Sequence, residues 1–582
     1  MLAETMATNS FTAWTKIDCE QTIPQRFAAI VAQFPGQVAV RTRTTTWTYR
    51  ELNHHAQSIA AALRERRGDV LEPVGLQFSQ GAWMCAATLG ALLARKIYVP
   101  LDNTLSPARL AEIVAEAEIK VVLADVDQTG AVNVTSLTAS ENFSPPAADC
   151  HEPAYIYFTS GTTGKPKGVV DSHRNVLHNI LRYTNQLHIG PSDRLTLLQA
   201  PAFSGAVSSF FAAVLNGATS LPVAVHAENP DALAEWLIAE RATMIHCVPA
   251  LFRSLLRAGR RFPDVRVIRL EGDQASHLDV ELYRQHFAPP CLLANGLGAT
   301  EMGLARQWII DHTTAVPSGI LPVGYPVPDV RVLILDETGQ EAGLDQIGEI
   351  VAESDYLALG YWKNPAATAA RFFPGPVRRY RTGDRGRLRA DGCLEFLGRT
   401  DSRLKIRGQL VDLAEVETAV LALPAVREAA VVARANQWGE NELVAFVVGP
   451  VTELRVQLAS RVPSAMVPAR FVPVERLPLN QNGKIDRRAL QTTELAPASP
   501  VVGLAPQTAA QAKLAAIWAD VLRLDSVAVD AQFLDVGGNS LRAIQILARV
   551  RDQFQIQLTP QEFFDAPTII EQARLLENAG LV

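Results

Sequence analysis

Short apolar runs alternate with helical patterns through about the first 350 residues of the chain. Residues 194–198, 243–247 and 265–270 predict buried strands, because each run is short and rich in branched apolar side chains. Apolar residues at helical spacing fill the segments between them. Strands that alternate with helices are typical of α/β layers with mainly parallel strands, and we expect that class here.

The pattern changes near residue 348, where short strands and turns follow one another in GEIVAES, YRTGDRGRL and GCLEFLGR. A Pro- and Ala-rich stretch, TTELAPASPVVGLAPQT, then predicts a linker, and amphipathic helices over 512–522 and 541–554 follow it. We therefore expect five segments: a tail (1–20), a large domain (21–400), a small α+β domain (401–491), a linker (492–508) and an all-α bundle (509–582).

Composition narrows the function classes. The 582 residues are 48% hydrophobic and 20% charged, as in a globular protein of several domains. A net charge of −6 argues against a nucleic-acid surface, and six dispersed cysteines argue against a disulfide framework or zinc site. The N-terminus MLAETMATNS lacks the basic and apolar parts of a signal peptide. The longest apolar run, residues 81–94, is too short to cross a bilayer. We expect a cytoplasmic protein with no membrane partner.

The clearest chemical motif is TSGTTGKPKG, which follows the predicted strand YIYF. Gly161 and Gly164 let the backbone approach a ligand closely, and Lys165 adds a point charge. Hydroxyl donors come from Thr159, Ser160, Thr162 and Thr163. Such a loop binds phosphate, and the triphosphate of ATP is the expected ligand. It does not match the Walker pattern, and an ordinary solvated loop is the alternative interpretation.

This loop resembles the signature of the adenylate-forming superfamily, which contains acyl-CoA synthetases, firefly luciferase and nonribosomal peptide synthetase adenylation domains. TWTYRELN, KIYVPLD, NGLGATE, YRTGD, GRTDSRLKIRG and PLNQNGKIDR resemble further motifs of the family, in the expected order. The first is expected to be structural. The resemblance implies a large α/β adenylate-forming domain and a small, mobile α+β subdomain.

The resemblance also assigns roles. Thr300 would contact phosphate, Glu301 would help to hold Mg²⁺, Asp384 would bind the ribose hydroxyls, and Arg399 would contact ribose or phosphate. Asp401 would be the hinge between the domains. Lys484 would be the catalytic lysine, bridging the substrate carboxylate and the α-phosphate, where negative charge grows. A surface turn is the alternative for YRTGD, and an exposed lysine is the alternative for Lys484.

Two positions depart from the family pattern. Arg95 stands before the strand of KIYVPLD, where the family usually has glycine. Leu297 stands where an aromatic residue generally packs on adenine, so about 1–3 kcal/mol of stacking energy would be missing.

The segment DAQFLDVGGNSLRAIQIL in the final bundle resembles the attachment site of a peptidyl carrier protein. By that resemblance Ser540 would carry 4′-phosphopantetheine. A glycine pair precedes the serine, and a helix N-terminus favours a bound phosphodiester. A serine that only caps the helix is the alternative.

The segment PAFSGAVSSFFAAVLNGA resembles the one that lines the acyl pocket. Enzymes of the family that use α-amino acids normally have Asp where this chain has Ser204, and a buried ammonium without a carboxylate is costly. Either the acid lacks an α-amino group, which we favour, or Glu271 replaces the aspartate. The other expected pocket residues are Phe203, Gly205, Ser208, Ala250, Arg269, Gly296, Leu304 and Ala305.

Taken together, these motifs predict an adenylation–carrier didomain that activates an amino, hydroxy, keto or aryl acid with ATP and Mg²⁺. The acyl group would then pass to phosphopantetheine on Ser540. Expected partners are a phosphopantetheinyl transferase and a downstream condensation or tailoring enzyme. The rival functions are an acyl-CoA ligase with a helical appendage and a non-catalytic carrier or scaffold.

Overall fold

The computed structural model divides into two compact units, Met1–Arg487 and Arg488–Val582. The described residues are 9–103, 105, 107–127, 130–137, 143–160, 166–225, 230–256, 259–399, 403–406, 409–435, 441–451, 454–459, 461–462, 466–480, 483–494, 504–522, 524, 526–531, 533, 536, 540–556 and 558–579.

Two large sheets form most of the first unit. From edge to edge, one contains Tyr325–Pro326, Gly303–Ile310, Leu292–Ala299, Val267–Glu271, Met244–Cys247, Arg194–Leu197, Thr219–Pro222, Val38–Arg41 and Thr46–Thr48. The other contains Gly360–Tyr361, Pro166–Ser172, Pro153–Ser160, Ile97–Pro100, Pro73–Gln77, Val122–Ala124 and Ala131–Asn133. Most of their interior strands pair in parallel, but Leu292–Ala299 pairs antiparallel with Gly303–Ile310, and Pro153–Ser160 pairs antiparallel with Pro166–Ser172. The α/β class predicted for the large domain is confirmed.

Helices pack against these sheets. They are Ile23–Gln33, Tyr49–Arg67, Ala82–Leu93, Pro107–Glu116, His173–Leu187, Gly205–Val214, Pro230–Ala239, Pro249–Leu256, His277–His286 and Pro365–Arg371, with 3₁₀ turns at Lys16–Cys19 and Val134–Ser136. Every residue of Ala82–Leu93 except Trp83 is buried, so this apolar run forms a core helix. No helix in the described part of the chain is long and apolar enough to cross a membrane.

The TWTYRELN motif has a structural role that the geometry makes plain. Thr48 caps the helix Tyr49–Arg67: its side chain accepts from Glu51 N, and the Glu51 carboxylate accepts from Thr48 N at 2.7 Å. The buried Tyr49 hydroxyl donates to Ala218 O at 2.6 Å. The motif therefore starts a helix and fixes it to the sheet.

Arg95 adopts a left-handed backbone conformation, with φ +57°. Glycine takes this conformation without strain, which explains why the family favours it at this position. Here the Arg95 side chain pairs with Glu152, Nε to Oε2 at 3.0 Å, on a neighbouring segment. That ion pair offsets part of the conformational cost.

A third, antiparallel sheet follows in the β-rich region, with strands Arg331–Leu335, Ile347–Glu353, Arg379–Leu388, Phe372–Phe373 and Leu394–Arg399. The small subdomain contains the strand pair Arg403–Ile406 and Gln409–Asp412, the sheet Glu428–Ala435, Asn441–Val448 and Arg470–Pro473, and the helices Leu413–Leu421 and Leu454–Ala459. Its own apolar core includes Val416, Val420 and Leu443. The predicted α+β composition is confirmed.

In the second unit the described residues form the helices Ala509–Leu522, Ser540–Phe554, Pro560–Asp565 and Ile569–Asn578; the short helix Arg487–Thr492 precedes them. Trp518, Phe533 and Phe563 pack together in the core of this unit. Trp518 Nε1 donates to Gln572 Oε1 at 3.2 Å, so the one polar atom of this aromatic cluster has a partner. The predicted all-α bundle is confirmed.

Candidate active site

A cavity of about 560 Å³ opens at the carboxyl ends of two central parallel strands, Val267–Glu271 and Leu292–Ala299. The helix Gly205–Val214 contributes its N-terminal end, and the small subdomain contributes the helix Leu413–Leu421 and Lys484. Ligands of open α/β sheets bind at this end of the strands. The position therefore favours a ligand site shared by the large domain and the small subdomain.

The residues predicted to meet phosphate and magnesium lie together in the wall. Thr300 Oγ1 is 2.7 Å from Ser204 Oγ. Next to Thr300, Glu301 accepts a hydrogen bond from the Tyr361 hydroxyl at 2.9 Å. Lys167 Nζ lies 5.5 Å from the centroid of the Tyr361 ring. The wall at this end of the cavity thus combines hydroxyl groups and a carboxylate, whereas Tyr361 and Lys167 are not lining residues.

The phosphate loop joins two antiparallel strands, Pro153–Ser160 and Pro166–Ser172, in which Thr159 pairs with Lys167. Thr159 is half-buried at the end of the first strand. Gly161, Thr162, Thr163, Gly164 and Lys165 lie outside the described residues, as does the side chain of Ser160.

Asp384 and Arg399 face each other across an antiparallel strand pair. Arg399 Nη1 donates to Asp384 Oδ1 at 3.0 Å, and both residues line the cavity. Gly383, with φ +76°, makes the tight turn in front of the carboxylate. The hinge prediction, Asp401, lies outside the described residues.

Lys484 enters the same cavity on a turn. Asn480 N donates to Lys484 O at 2.7 Å, Gly483 has φ +71°, and Lys484 Nζ lies 4.8 Å from the centroid of the Phe203 ring. Burial lowers the pKa of Lys484, and the negative charge of Asp273 opposes that shift. The amine therefore lies in a partly desolvated position, where its charge interacts strongly with an anion.

The expected acyl-pocket residues separate into two groups. Phe203, Ser204, Gly205, Ser208, Glu271, Gly296 and Leu304 line the cavity, as does Leu297. Ala250, Arg269 and Ala305 are buried but are not lining residues. Leu297 leaves an aliphatic surface where the family generally has an aromatic ring.

His246 lines the cavity and was missed by sequence reasoning, which named only Ala250 in this part of the chain. His246 belongs to the strand Met244–Cys247, whereas Ala250 belongs to the following helix, Pro249–Leu256. The sequence feature that could have indicated His246 is its position near the carboxyl end of a predicted strand. Burial and then the charge of Arg269 lower the pKa of His246, so its ring is neutral at neutral pH.

The structure describes only part of the carrier motif. The helix Ser540–Phe554 begins at Ser540, but the side chain of Ser540 and the residues just before it lie outside the described part. The first helical turn, SLRA, contains no acidic residue. That composition fits an anionic phosphodiester at the N-terminus of the helix.

Comparison with protein families gives three matches in chain order. Residues 27–362 match the AMP-binding enzyme family, residues 415–484 match the AMP-binding enzyme C-terminal domain, and residues 512–576 match the phosphopantetheine attachment site.

The chain is also similar to large peptide synthases. It is 32% identical to tyrocidine synthase 3 of Brevibacillus parabrevis over 96% of its own length and 9% of that protein. It is 31% identical to the dimodular nonribosomal peptide synthase of Bacillus subtilis over 95% of its length and 25% of that protein. The chain therefore spans a minor part of the length of these relatives.

Among solved structures, the fold is similar to that of a holo four-domain nonribosomal peptide synthetase bound to AMP and glycine. The TM-score is 0.73 at 24% identity, over 98% of this chain and 43% of that one. The fold also resembles the benzoate CoA ligase of Burkholderia xenovorans, with a TM-score of 0.70 at 24% identity over 81% of this chain and all of that one. Because the AMP-binding model spans more than half of the residues and the attachment-site model follows it, the chain belongs to the AMP-binding enzyme family and joins an adenylation domain to a phosphopantetheine carrier domain.

Proposed function

We propose that the chain activates a carboxylic acid with ATP and loads it onto its own carrier domain, in nonribosomal peptide or related natural-product biosynthesis. The observation that supports this most strongly is the convergence of Thr300, Glu301, Asp384, Arg399 and Lys484 on one cavity. The acid would be an amino acid or a comparable hydroxy, keto or aryl acid.

In the first step a carboxylate oxygen of the acid bonds to the α-phosphorus of ATP, and the bond from that phosphorus to pyrophosphate breaks. Negative charge grows on the α-phosphate oxygens, and the ammonium of Lys484 stabilises it. The Asp384 carboxylate would accept hydrogen bonds from the ribose hydroxyls. Its interaction with Arg399 holds it in place.

Magnesium would bind at Glu301. A carboxylate at the phosphate end of the cavity is a suitable hard oxygen ligand, and the Tyr361 hydroxyl orients it. When phosphopantetheine is attached to Ser540, its thiol supplies the nucleophile that takes the acyl group from AMP. The chain would need a phosphopantetheinyl transferase for that attachment and a condensation or tailoring enzyme to use the product.

Two experiments test the proposal against its rivals. Acid-dependent exchange of pyrophosphate into ATP would contradict a non-catalytic carrier, and its absence with every acid tested would contradict our proposal. Intact-mass spectrometry after treatment with a phosphopantetheinyl transferase and coenzyme A separates the proposal from a CoA ligase. We expect Ser540→Ala to retain exchange and lose loading, whereas Ser526→Ala, at an exposed serine of the same domain, should retain both.

A further inference from the structure

Glu271 presents a carboxylate to the acyl end of the cavity. Its Oε1 lies beside Gly296. A Cβ atom added to Gly296 would be only 3.0 Å from this oxygen. Its Oε2 accepts a hydrogen bond from the Tyr183 hydroxyl at 2.9 Å. His246 Nε2 is 3.5 Å from the same oxygen. Ser209 Oγ is 2.6 Å from His246 Nδ1 and donates to Gln199 Oε1 at 3.2 Å.

The positive charge of Arg269 lies directly behind Glu271. Arg269 Nη2 is 3.2 Å from both carboxylate oxygens, and it donates to Ser208 Oγ at 3.2 Å. The guanidinium also stacks over the Tyr183 ring at 3.7 Å, and the residue is 1% exposed. Packing and hydrogen bonds therefore hold Arg269 against Glu271, and Arg269 itself does not line the cavity.

The pair is ionised but has no net charge. Burial opposes ionisation of Glu271, but Arg269 and the donors His246 and Tyr183 outweigh it and hold the pKa of Glu271 at about 2. A cation that reached Glu271 would lose its hydration and would also meet the field of Arg269. An uncharged donor would need only a free lone pair on Oε1.

The other carboxylates of the described cavity wall meet cations or lie at the phosphate end. Arg487 pairs with Glu417, Arg399 pairs with Asp384, and Asp273 interacts with Lys484 and Arg487. Glu301 follows Thr300, which is expected to contact phosphate, and Asp171 accepts a hydrogen bond from the Tyr155 hydroxyl at 3.2 Å. At the acyl end, Glu271 is thus the carboxylate to which a substrate group would bind.

We infer that the substrate group that meets Glu271 is an uncharged hydrogen-bond donor, such as a hydroxyl or a ring amine, and that Arg269 excludes an ammonium group from this position. The inference rests on the proposed function and narrows its substrate class. Desolvation of an ammonium group at a buried site is costly, and the charge of Arg269 cancels much of the attraction to Glu271 that would offset this cost.

The test measures kcat/KM in pyrophosphate exchange for acid pairs that differ mainly in charge. The pairs are 3-phenyllactate with L-phenylalanine, 2-hydroxyisocaproate with L-leucine, and 3-(hydroxymethyl)benzoate with 3-(aminomethyl)benzoate. The unmodified chain should prefer the hydroxyl member of an accepted pair by about a hundredfold or more. Arg269→Met leaves a net negative pocket and should reduce that preference at least about tenfold.

Three further variants complete the design. Arg269→Met with Glu271→Gln restores a neutral pocket, so its preference should return to within about threefold of the original. Glu271→Gln alone leaves Arg269 unpaired and should increase the preference for the hydroxyl members at least about tenfold. This variant keeps the test valid if Arg269→Met does not fold. Arg241→Met removes an arginine that is 75% exposed and paired with Asp264, and it should change nothing.

Preference of the unmodified chain for the amino members would overturn the inference. So would a preference that is the same in every folded Arg269 and Glu271 variant. In either case exchange still occurs, and the proposed function stands. If no acid supports exchange in the unmodified chain, the proposed function fails and the inference fails with it.

Discussion

Arg487 binds Glu417 through two charged hydrogen bonds, Nη1 to Oε2 at 2.7 Å and Nη2 to Oε1 at 2.8 Å. Glu417 lies buried on the helix Leu413–Leu421 and also accepts from Val431 N at 2.8 Å. Arg487 follows Lys484 by three residues. The ion pair therefore anchors the segment that carries Lys484 to the core of the small subdomain.

Arg487→Met should reduce the kcat of pyrophosphate exchange about tenfold or more and change the KM for the acid little, because Lys484 would lose its anchor. It should also destabilise the chain by about 2 kcal/mol, since Glu417 stays buried without its cation. Urea unfolding and exchange kinetics measure the two effects. Adding Glu417→Gln should recover stability but not kcat, whereas recovery of both would contradict the positioning role.

Lys484→Ala should reduce adenylation about a hundredfold or more, the scale for loss of one transition-state charge contact. Transfer of the acyl group from a supplied acyl-adenylate to the carrier should persist, because that step does not involve attack on phosphorus. Lys363→Ala is the matched control, since Lys363 is half-exposed and pairs with Glu118. Equal exchange activity in the two variants would mean that Lys484 is an ordinary lysine.

Glu301→Gln should raise the Mg²⁺ concentration for half-maximal exchange by about tenfold or more, because an amide oxygen replaces a charged ligand. The Tyr361 hydroxyl can still donate to the amide oxygen, so the local geometry should persist. A magnesium titration of exchange activity measures the shift. Glu281→Gln, at an exposed position on the helix His277–His286, should leave the titration unchanged.

Local patterns were sufficient to predict most of the architecture. The strands expected at 194–198, 243–247 and 265–270 are found as Arg194–Leu197, Met244–Cys247 and Val267–Glu271. Their apolar runs determine their burial, and only their ends shift by one or two residues. The helices expected at 512–522 and 541–554 are likewise found as Ala509–Leu522 and Ser540–Phe554.

The site was harder to predict where it depends on contacts between distant segments. A motif match placed Glu271 in the cavity, but nothing local indicated that Tyr183 and His246 would meet it there. His246, on the strand Met244–Cys247, lines the cavity but was not predicted, whereas the predicted Ala250 lies on the following helix, Pro249–Leu256, and is not a lining residue. The ion pair of Arg487 with Glu417 joins residues 70 positions apart and has no signal in either local pattern.

Asp171 supplies a pH-dependent prediction. It is buried on the cavity wall, where burial outweighs hydrogen bonds from Asn175 and Ser172 and raises the pKa of its carboxyl group to about 7. In the unfolded chain this pKa is about 3.9. Between these values the folded state binds more protons than the unfolded state, so the free energy of unfolding falls as pH rises from about 4 to 7.

Asp171→Asn should abolish this decrease in the free energy of unfolding with rising pH. The amide oxygen can accept from Ser172 N and Asn175 Nδ2, as Oδ1 does at 2.9 Å in both cases, and the new NH₂ group can donate to the Tyr155 hydroxyl. We expect the variant to be more stable than the unmodified chain at pH 8, by at most about 4 kcal/mol, since each pKa unit corresponds to about 1.4 kcal/mol. At pH 4 the two should be nearly equal. Urea unfolding at both pH values measures the difference, and a stability gain that is the same at pH 4 and pH 8 would show that Asp171 does not titrate in this range.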